Sequence, residues 1–298
     1  MNLKHAFISI FTLSISFFSA VSLAQSQPAF WTLTKEGHAP LTILGSIHVG
    51  TDALYPMPPV LTKAFLNATT LVVEVDTLNM PANEIKATTQ LINLPNQQKL
   101  ADVMPIEQYR ALKATLKELN LNVPRVKSMQ PWFVIMTAMQ LKLNKMGYQA
   151  DLGIDVHYLK LAQQQAKPVM QLENVQKQLW YLSQIGQHQP KAIETGLKEL
   201  SELGQWAPKM LSHWAKGELV ALHTLLTPTE QPDPEQDIFS QIMQERNQDW
   251  QQQLLKLPAE QSAFVVVGAL HLTGSHNLIE LLEQQGYQAQ RHSYAAQP

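Results

Sequence analysis

Two short stretches near opposite ends of the chain repeat one arrangement: Leu41-Thr-Ile-Leu-Gly45-Ser-Ile-His48-Val-Gly50 and Phe264-Val-Val-Val-Gly268-Ala-Leu-His271-Leu-Thr-Gly274. Each is an apolar, largely β-branched run, then Gly-x-x-His, then a further glycine. An apolar run of this length reads as a strand buried on both faces, and the glycine beyond it permits close backbone approach at the strand end. Two imidazoles are thereby delivered to the carboxyl ends of two core strands, the edge of an open α/β sheet where ligands bind. A third group, Glu74, lies within Leu71-Val-Val-Glu-Val-Asp76. A carboxylate on a buried strand is costly unless a cation, a metal or several donors meet it. His48, His271 and Glu74 make a set of three N and O ligands with a position left for water, the pattern of a hydrolytic metal site. The alternative for Glu74 is a structural ion pair with Arg or Lys.

Other side chains fall where they could assist. On a helix at 100° per residue, Ile238, Phe239, Ile242, Met243, Trp250 and Leu254 share one arc with Arg246 near its middle, so the guanidinium points inward. A buried guanidinium needs a carboxylate or a substrate anion. Arg246 therefore either pairs with Glu74 or Glu173, or faces the reaction centre. Asn247, at the border of that arc, could donate to an oxyanion or to backbone. Glu173 follows the short apolar run Val169-Met-Gln-Leu172 at a strand-to-helix junction, as a general base, a further ligand, or a carboxylate favoured by the helix dipole. Asp155 reads as a helix cap, Asp76 as a turn cap, and His157 as a helix-surface residue.

Familiar signatures are missing. The chain has no HExxH, no GxSxG, no Walker loop and no GxGxxG. It also has no cysteine, which removes disulfides, thiol catalysis and thiolate metal sites, so any metal must be held by His, Asp or Glu.

The elements that must position these groups read as follows. Strands are expected at 30–35 and 41–46, a helix at 59–68, and a strand at 71–75. A largely helical middle then runs from 83 to 257, interrupted by one short strand at 168–172. Pro105, Pro131 and Pro190 mark helix starts, and Gly147 and Gly217 mark breaks. A strand at 263–267, a helix at 275–285 and a strand at 287–292 complete the pattern. Strands cluster at both ends and must pair across the helical middle. The fold class is therefore α+β: a mixed β-sheet core packed with helices, the two GxxH segments being equivalent elements of two pseudo-related halves. Thr227–Pro234 is the clearest surface loop.

Residues 1–24 have a basic start at Lys4, an apolar stretch and Ser22-Leu23-Ala24 before Gln25. That is the pattern of a secretory signal cleaved after Ala24, leaving one domain over 25–298 exported to a periplasmic or secreted setting without a membrane anchor. With 22 Lys and Arg against 24 Asp and Glu, and no basic block, nucleic acid is not an expected partner.

These residues together resemble the TraB/GumN family, which includes the Tiki-type proteases. The resemblance rests on Gly45-Ser-Ile-His48, Val-Val-Glu74-Val-Asp, Lys127-Ser-Met-Gln-Pro-Trp132, Gly153-Ile-Asp155, Leu172-Glu173-Asn174, Arg246-Asn247 with Trp250, and Val267-Gly268-Ala-Leu-His271-Leu-Thr-Gly274. It covers essentially all of the sequence beyond the leader. It implies a site of the two GxxH histidines and the buried Glu and, for the Tiki-like members, divalent-metal-dependent peptide hydrolysis, with manganese or cobalt named more readily than zinc. The reading is thus an exported metallopeptidase-like hydrolase acting on a peptide or small molecule. Its competitors are a non-catalytic binder of a peptide or small molecule in the same cleft, and a metal-free esterase-type hydrolase with His48 or His271 as base.

Overall fold

In a computed structural model, which describes residues 26–188, 191–227 and 237–294, the apolar runs at both ends of the chain pair into one six-stranded sheet. The expected signal segment lies outside these residues, as do Pro190 and the surface loop beyond Thr227. β1 (Phe30–Lys35) and β2 (His38–Ser46) form an antiparallel hairpin, with Leu33 opposite Leu41. β2 starts earlier than its apolar run, because His38 pairs back onto Lys35 across a turn that Gly37 makes at a φ of 73°. β3 (Thr70–Val73), β4 (Val169–Gln171), β5 (Ala263–Gly268) and β6 (Gln288–Arg291) complete the sheet in the order β4-β3-β5-β2-β1-β6. β4, β3, β5 and β2 run parallel, while β1 lies antiparallel to both β2 and β6. The sheet is mixed and the class α+β, as the sequence indicates.

Helix α1 (Pro59–Asn67) connects β2 to β3. The segment from β3 to β4 holds α2 (Ala82–Ile92), α3 (Leu100–Val103), α4 (Ile106–Glu118), α5 (Val123–Val126), α6 (Pro131–Lys145) and α7 (Ile154–Gln164). The segment from β4 to β5 holds α8 (Val175–His188), α9 (Ala192–Ala215), α10 (Leu219–Leu226) and α11 (Ile238–Leu254). α12 (Leu278–Glu283) precedes β6. Pro131 is the first residue of α6, where its missing N–H costs nothing, and Gly147 and Gly217 adopt positive φ just past the ends of α6 and α9. α12 starts later than its apolar pattern, since Asn277 accepts from the Glu280 N–H at 3.0 Å and fixes the first turn there. No helix among the described residues is long and apolar enough to cross a membrane.

Two apolar clusters hold the fold. The larger joins the strands to α1, α7, α9, α11 and α12. Ala263 to Val267 of β5 are all buried in it, each large side chain contributing about 1.5–3 kcal/mol. The smaller packs α3 to α6 against Leu200 of α9. The carboxyl ends of four adjacent parallel strands, β4, β3, β5 and β2, therefore open on one edge of the sheet.

Candidate functional site

Each candidate side chain follows one of those four ends. Glu74 comes directly after β3, Glu173 two residues after β4, His48 two after β2 and His271 three after β5. Ser46 and Gly268 are partners in the β2–β5 ladder, so the two GxxH segments leave the sheet side by side. The glycines have distinct reasons. A Cβ on Gly45 would sit 3.2 Å from Ala269 Cα, and one on Gly268 would sit 3.0 Å from Glu74 Oε1. Without that methyl, the Gly268 N–H donates to Glu74 Oε1 at 2.6 Å.

Glu74 is the hub. Its Oε2 accepts from Arg246 Nη2 at 2.8 Å and from Gln178 Nε2 of α8 at 3.1 Å. Arg246 reaches Glu173 as well, through Nη2 to Oε1 at 2.6 Å and Nε to Oε2 at 3.3 Å, a two-point grip on a carboxylate whose side chain is wholly enclosed. The guanidinium also lies over the Trp250 ring, 4.7 Å from its centre, and over Tyr181. Both carboxylates thus share one cation. The two pairings weighed for Arg246 from sequence occur together, and its inward arc is as the helical periodicity indicates, with Ile242, Asn247, Trp250 and Leu254 buried around it.

His271 is buried, its ring 4.1 Å from that of Trp250. Asn247 gives its amide N–H to the His276 carbonyl at 3.0 Å, so its Oδ1 is the atom 2.6 Å from His271 Nδ1. Nδ1 therefore carries the ring proton and Nε2 presents a lone pair, 3.9 Å from Glu74 Oε1 and past hydrogen-bond range. Asn247 is thereby engaged with both backbone and His271.

His48 stands at the rim, its side chain 64% exposed, with Nδ1 3.1 Å from Asp155 Oδ1. Glu74 and Arg246 are near enough to bias its ionisation, and Asp155 raises its pKa most. The structure corrects two expectations here. Asp155 is the second residue of α7, yet its carboxylate turns to His48 rather than capping the helix. His157 is half-buried against the Tyr55 ring, which excludes water and lowers its pKa to about 4, so it is no surface residue. Asp76 does cap its turn, accepting from the Leu78 and Asn79 N–H groups. Sequence reasoning also passes over Gln178, which no spacing marks: it becomes a Glu74 donor only once the fold brings α8 to that carboxylate.

A family model described as the TraB/PrgY/gumN family matches residues 29–291, nearly the whole described chain. The chain belongs to the TraB/PrgY/gumN family. Among curated proteins it is 30% identical over 251 residues to a protein called uncharacterized protein YbaP in Escherichia coli (strain K12), across 84% of this chain and 90% of that one. The protein of the same name from Shigella flexneri matches to the same extent. No solved structure matched. Every candidate residue of this TraB/PrgY/gumN member, from His48 to His271, lies inside the matched span.

Among the described residues, no group of three or more His, Asp or Glu is already arranged to hold a metal ion. The donor chemistry nonetheless suits one. His271 Nε2 and the Glu74 carboxylate, 3.9 Å apart, are N and O donors of the kind that would hold a divalent ion. Burial lowers the His271 pKa to about 3, from 6.5. For Glu74, burial acts upward, but His271, Arg246, His48 and the Gly268 N–H outweigh it and hold the carboxyl at about 2, against an ordinary 4.5.

Both shifts give stability the same sign with pH. The unfolded chain takes up protons at His271 below 6.5 and at Glu74 below 4.5, where the folded protein takes up none until about 3 and about 2. Stability therefore falls as pH drops through those windows. His271→Asn is expected to flatten the part of the fall between pH 6.5 and about 3, read from urea unfolding at a series of pH values. An unchanged slope in the variant would show that the ring is not held neutral.

Proposed function

We propose that this protein is an exported, metal-dependent hydrolase of the peptidase type, with Glu74, His271 and His48 as the residues that would hold a divalent ion, manganese, cobalt or zinc. The observation that carries the reading is His271: a buried imidazole whose Nδ1 is held by Asn247 and whose Nε2 lies 3.9 Å from Glu74 Oε1, with burial disfavouring its charged form. Two acceptors held in opposition disfavour each other unless a cation or a donor lies between them. A divalent ion there would supply Lewis acidity and an acidified water able to attack a peptide carbonyl near neutral pH.

The chain's own groups then divide the remaining work. Arg246 keeps Glu74 ionised by lying against it out of water, and Glu173 keeps Arg246 in place with both oxygens. That commitment draws Glu173 away from the general-base role, and Arg246 away from the reaction-centre placement, that the sequence leaves open, and toward support of Glu74. Asn247 fixes the His271 tautomer, so that Nε2 rather than Nδ1 is the free atom. The substrate is a peptide or small molecule reaching the carboxyl edge of the sheet.

The test is elemental analysis of the purified protein beside digestion of a peptide library, with chelator and after metal is restored. Cleavage that stops on chelation and returns with Mn²⁺ or Co²⁺ supports the reading. A metal-free esterase-type hydrolase is the second reading, favoured by the His48–Asp155 pair as a base with its orienting acid. It gives full activity in excess chelator. Metal-indifferent, stoichiometric peptide binding without cleavage would instead make the protein a binder.

A further inference from the structure

The two imidazoles are held in the same way by different partners. Asn247 Oδ1 accepts a hydrogen bond from the Nδ1–H of His271, and Asp155 Oδ1 stands 3.1 Å from Nδ1 of His48. Because a carboxylate only accepts, the His48 proton in that bond also sits on Nδ1. We propose that Asp155 is the positioning residue of His48, fixing ring and tautomer so that Nε2 is the free atom of both histidines.

Three observations carry this beyond a chance surface contact. First, the segment bearing Asp155 is locked onto the first GxxH loop by backbone. The Ile154 N–H donates to the Ile47 carbonyl at 3.0 Å, Gly50 and Gln149 exchange two hydrogen bonds at 3.0 and 2.8 Å, and the Tyr55 hydroxyl donates to the Leu152 carbonyl at 2.9 Å. Second, the approach leaves no room for a side chain. A Cβ on Gly153 would lie 2.6 Å from the His48 carbonyl oxygen, so only a glycine there lets the segment bring Asp155 beside that ring. Third, Asp155 lies in the first turn of α7, where the helix dipole favours its charge, yet it spends its hydrogen bond on an imidazole largely open to water. An ion pair that exposed contributes little to folding, so stability gives no account of the arrangement. Orientation of the ring does.

The proposal deepens the hydrolase reading, and its test has one arm independent of that reading. In metal-free, ¹⁵N-labelled protein, above the pH at which His48 ionises, the ring nitrogens report its tautomer. The native protein is expected to show the Nδ1–H form. Asp155→Ala is expected to lose it, with the mixed tautomers of a free imidazole appearing, while Asp155→Asn, which keeps an accepting oxygen, retains it. Identical His48 tautomers in native protein and Asp155→Ala would overturn the proposal, whatever the metal chemistry. The second arm titrates each protein with Mn²⁺ alone. Asp155→Ala is expected to bind about 10–100-fold more weakly with an unchanged thermal midpoint, and to add nothing further in a His48→Ala background. An additional loss in that background overturns the route through His48. Failure of Mn²⁺ to bind even the native protein counts against the metal reading, and the tautomer arm still decides the role of Asp155.

Discussion

Arg246→Ala is expected to cost about 3–5 kcal/mol of folding stability, because it strands two buried carboxylates that share one cation. Glu74 keeps the Gly268 N–H and Gln178, but Glu173 has no other ion-pair partner among the described residues, and its carboxyl is already pushed upward by burial despite Arg246. In the variant the Glu173 carboxyl should be pushed further upward, having lost the cation that opposes burial. The deficit should therefore grow as pH rises through the range where the unfolded chain has lost that proton and the folded protein keeps it. Urea unfolding measures this as a lower midpoint at unchanged m. Adding Glu173→Gln to Arg246→Ala should recover part of the loss by removing one of the two negative charges. A single variant as stable as the native protein would show that the cage of Glu74, Arg246 and Glu173 does not form.

Glu74→Gln and His271→Asn are each expected to lower kcat/KM on a cleaved peptide by about 10²–10⁴-fold, the range for removing a group that acts directly in such chemistry. Both keep approximate volume and a polar end, so the fold should survive. Glu74→Gln still accepts from Gly268 but loses the charge that faces Arg246 and His271. His271→Asn keeps a polar contact for Asn247 but no Nε2. The two losses should fall well short of adding in the double variant, since both groups serve one centre. Additive losses would mean that they act at separate steps, and unchanged turnover in either would remove it from the reaction.

Much of this site was legible because its parts are local. The β5 run, the Gly after it and the His beyond are set by neighbours in sequence, and their burial follows from hydrophobic period alone. Arg246 was legible from its helix arc, since a cation among Ile242, Trp250 and Leu254 has to point inward. Within its own segment capping is what a first-turn Asp does, so from sequence Asp155 reads as a cap. Its actual partner lies across a backbone-to-backbone contact between Gly153 and His48 that no periodicity reports. Gln178 escaped for the same reason: a glutamine on an amphipathic helix is ordinary until α8 is laid against Glu74. Strand ends shifted by a few residues where polar positions such as His38 pair through backbone, which is indifferent to side-chain type.

β5 stands between β3 and β2, which have no ladder to one another, and it is made well after both. A nascent polypeptide that stops short of Ala263 has both flanking strands but nothing to bridge them, and the nitrogen that clasps Glu74 is still unsynthesised. Chemical competence thus arrives late and all at once. A stop just before that segment leaves β2 and β3 unjoined and the centre without Gly268 and His271.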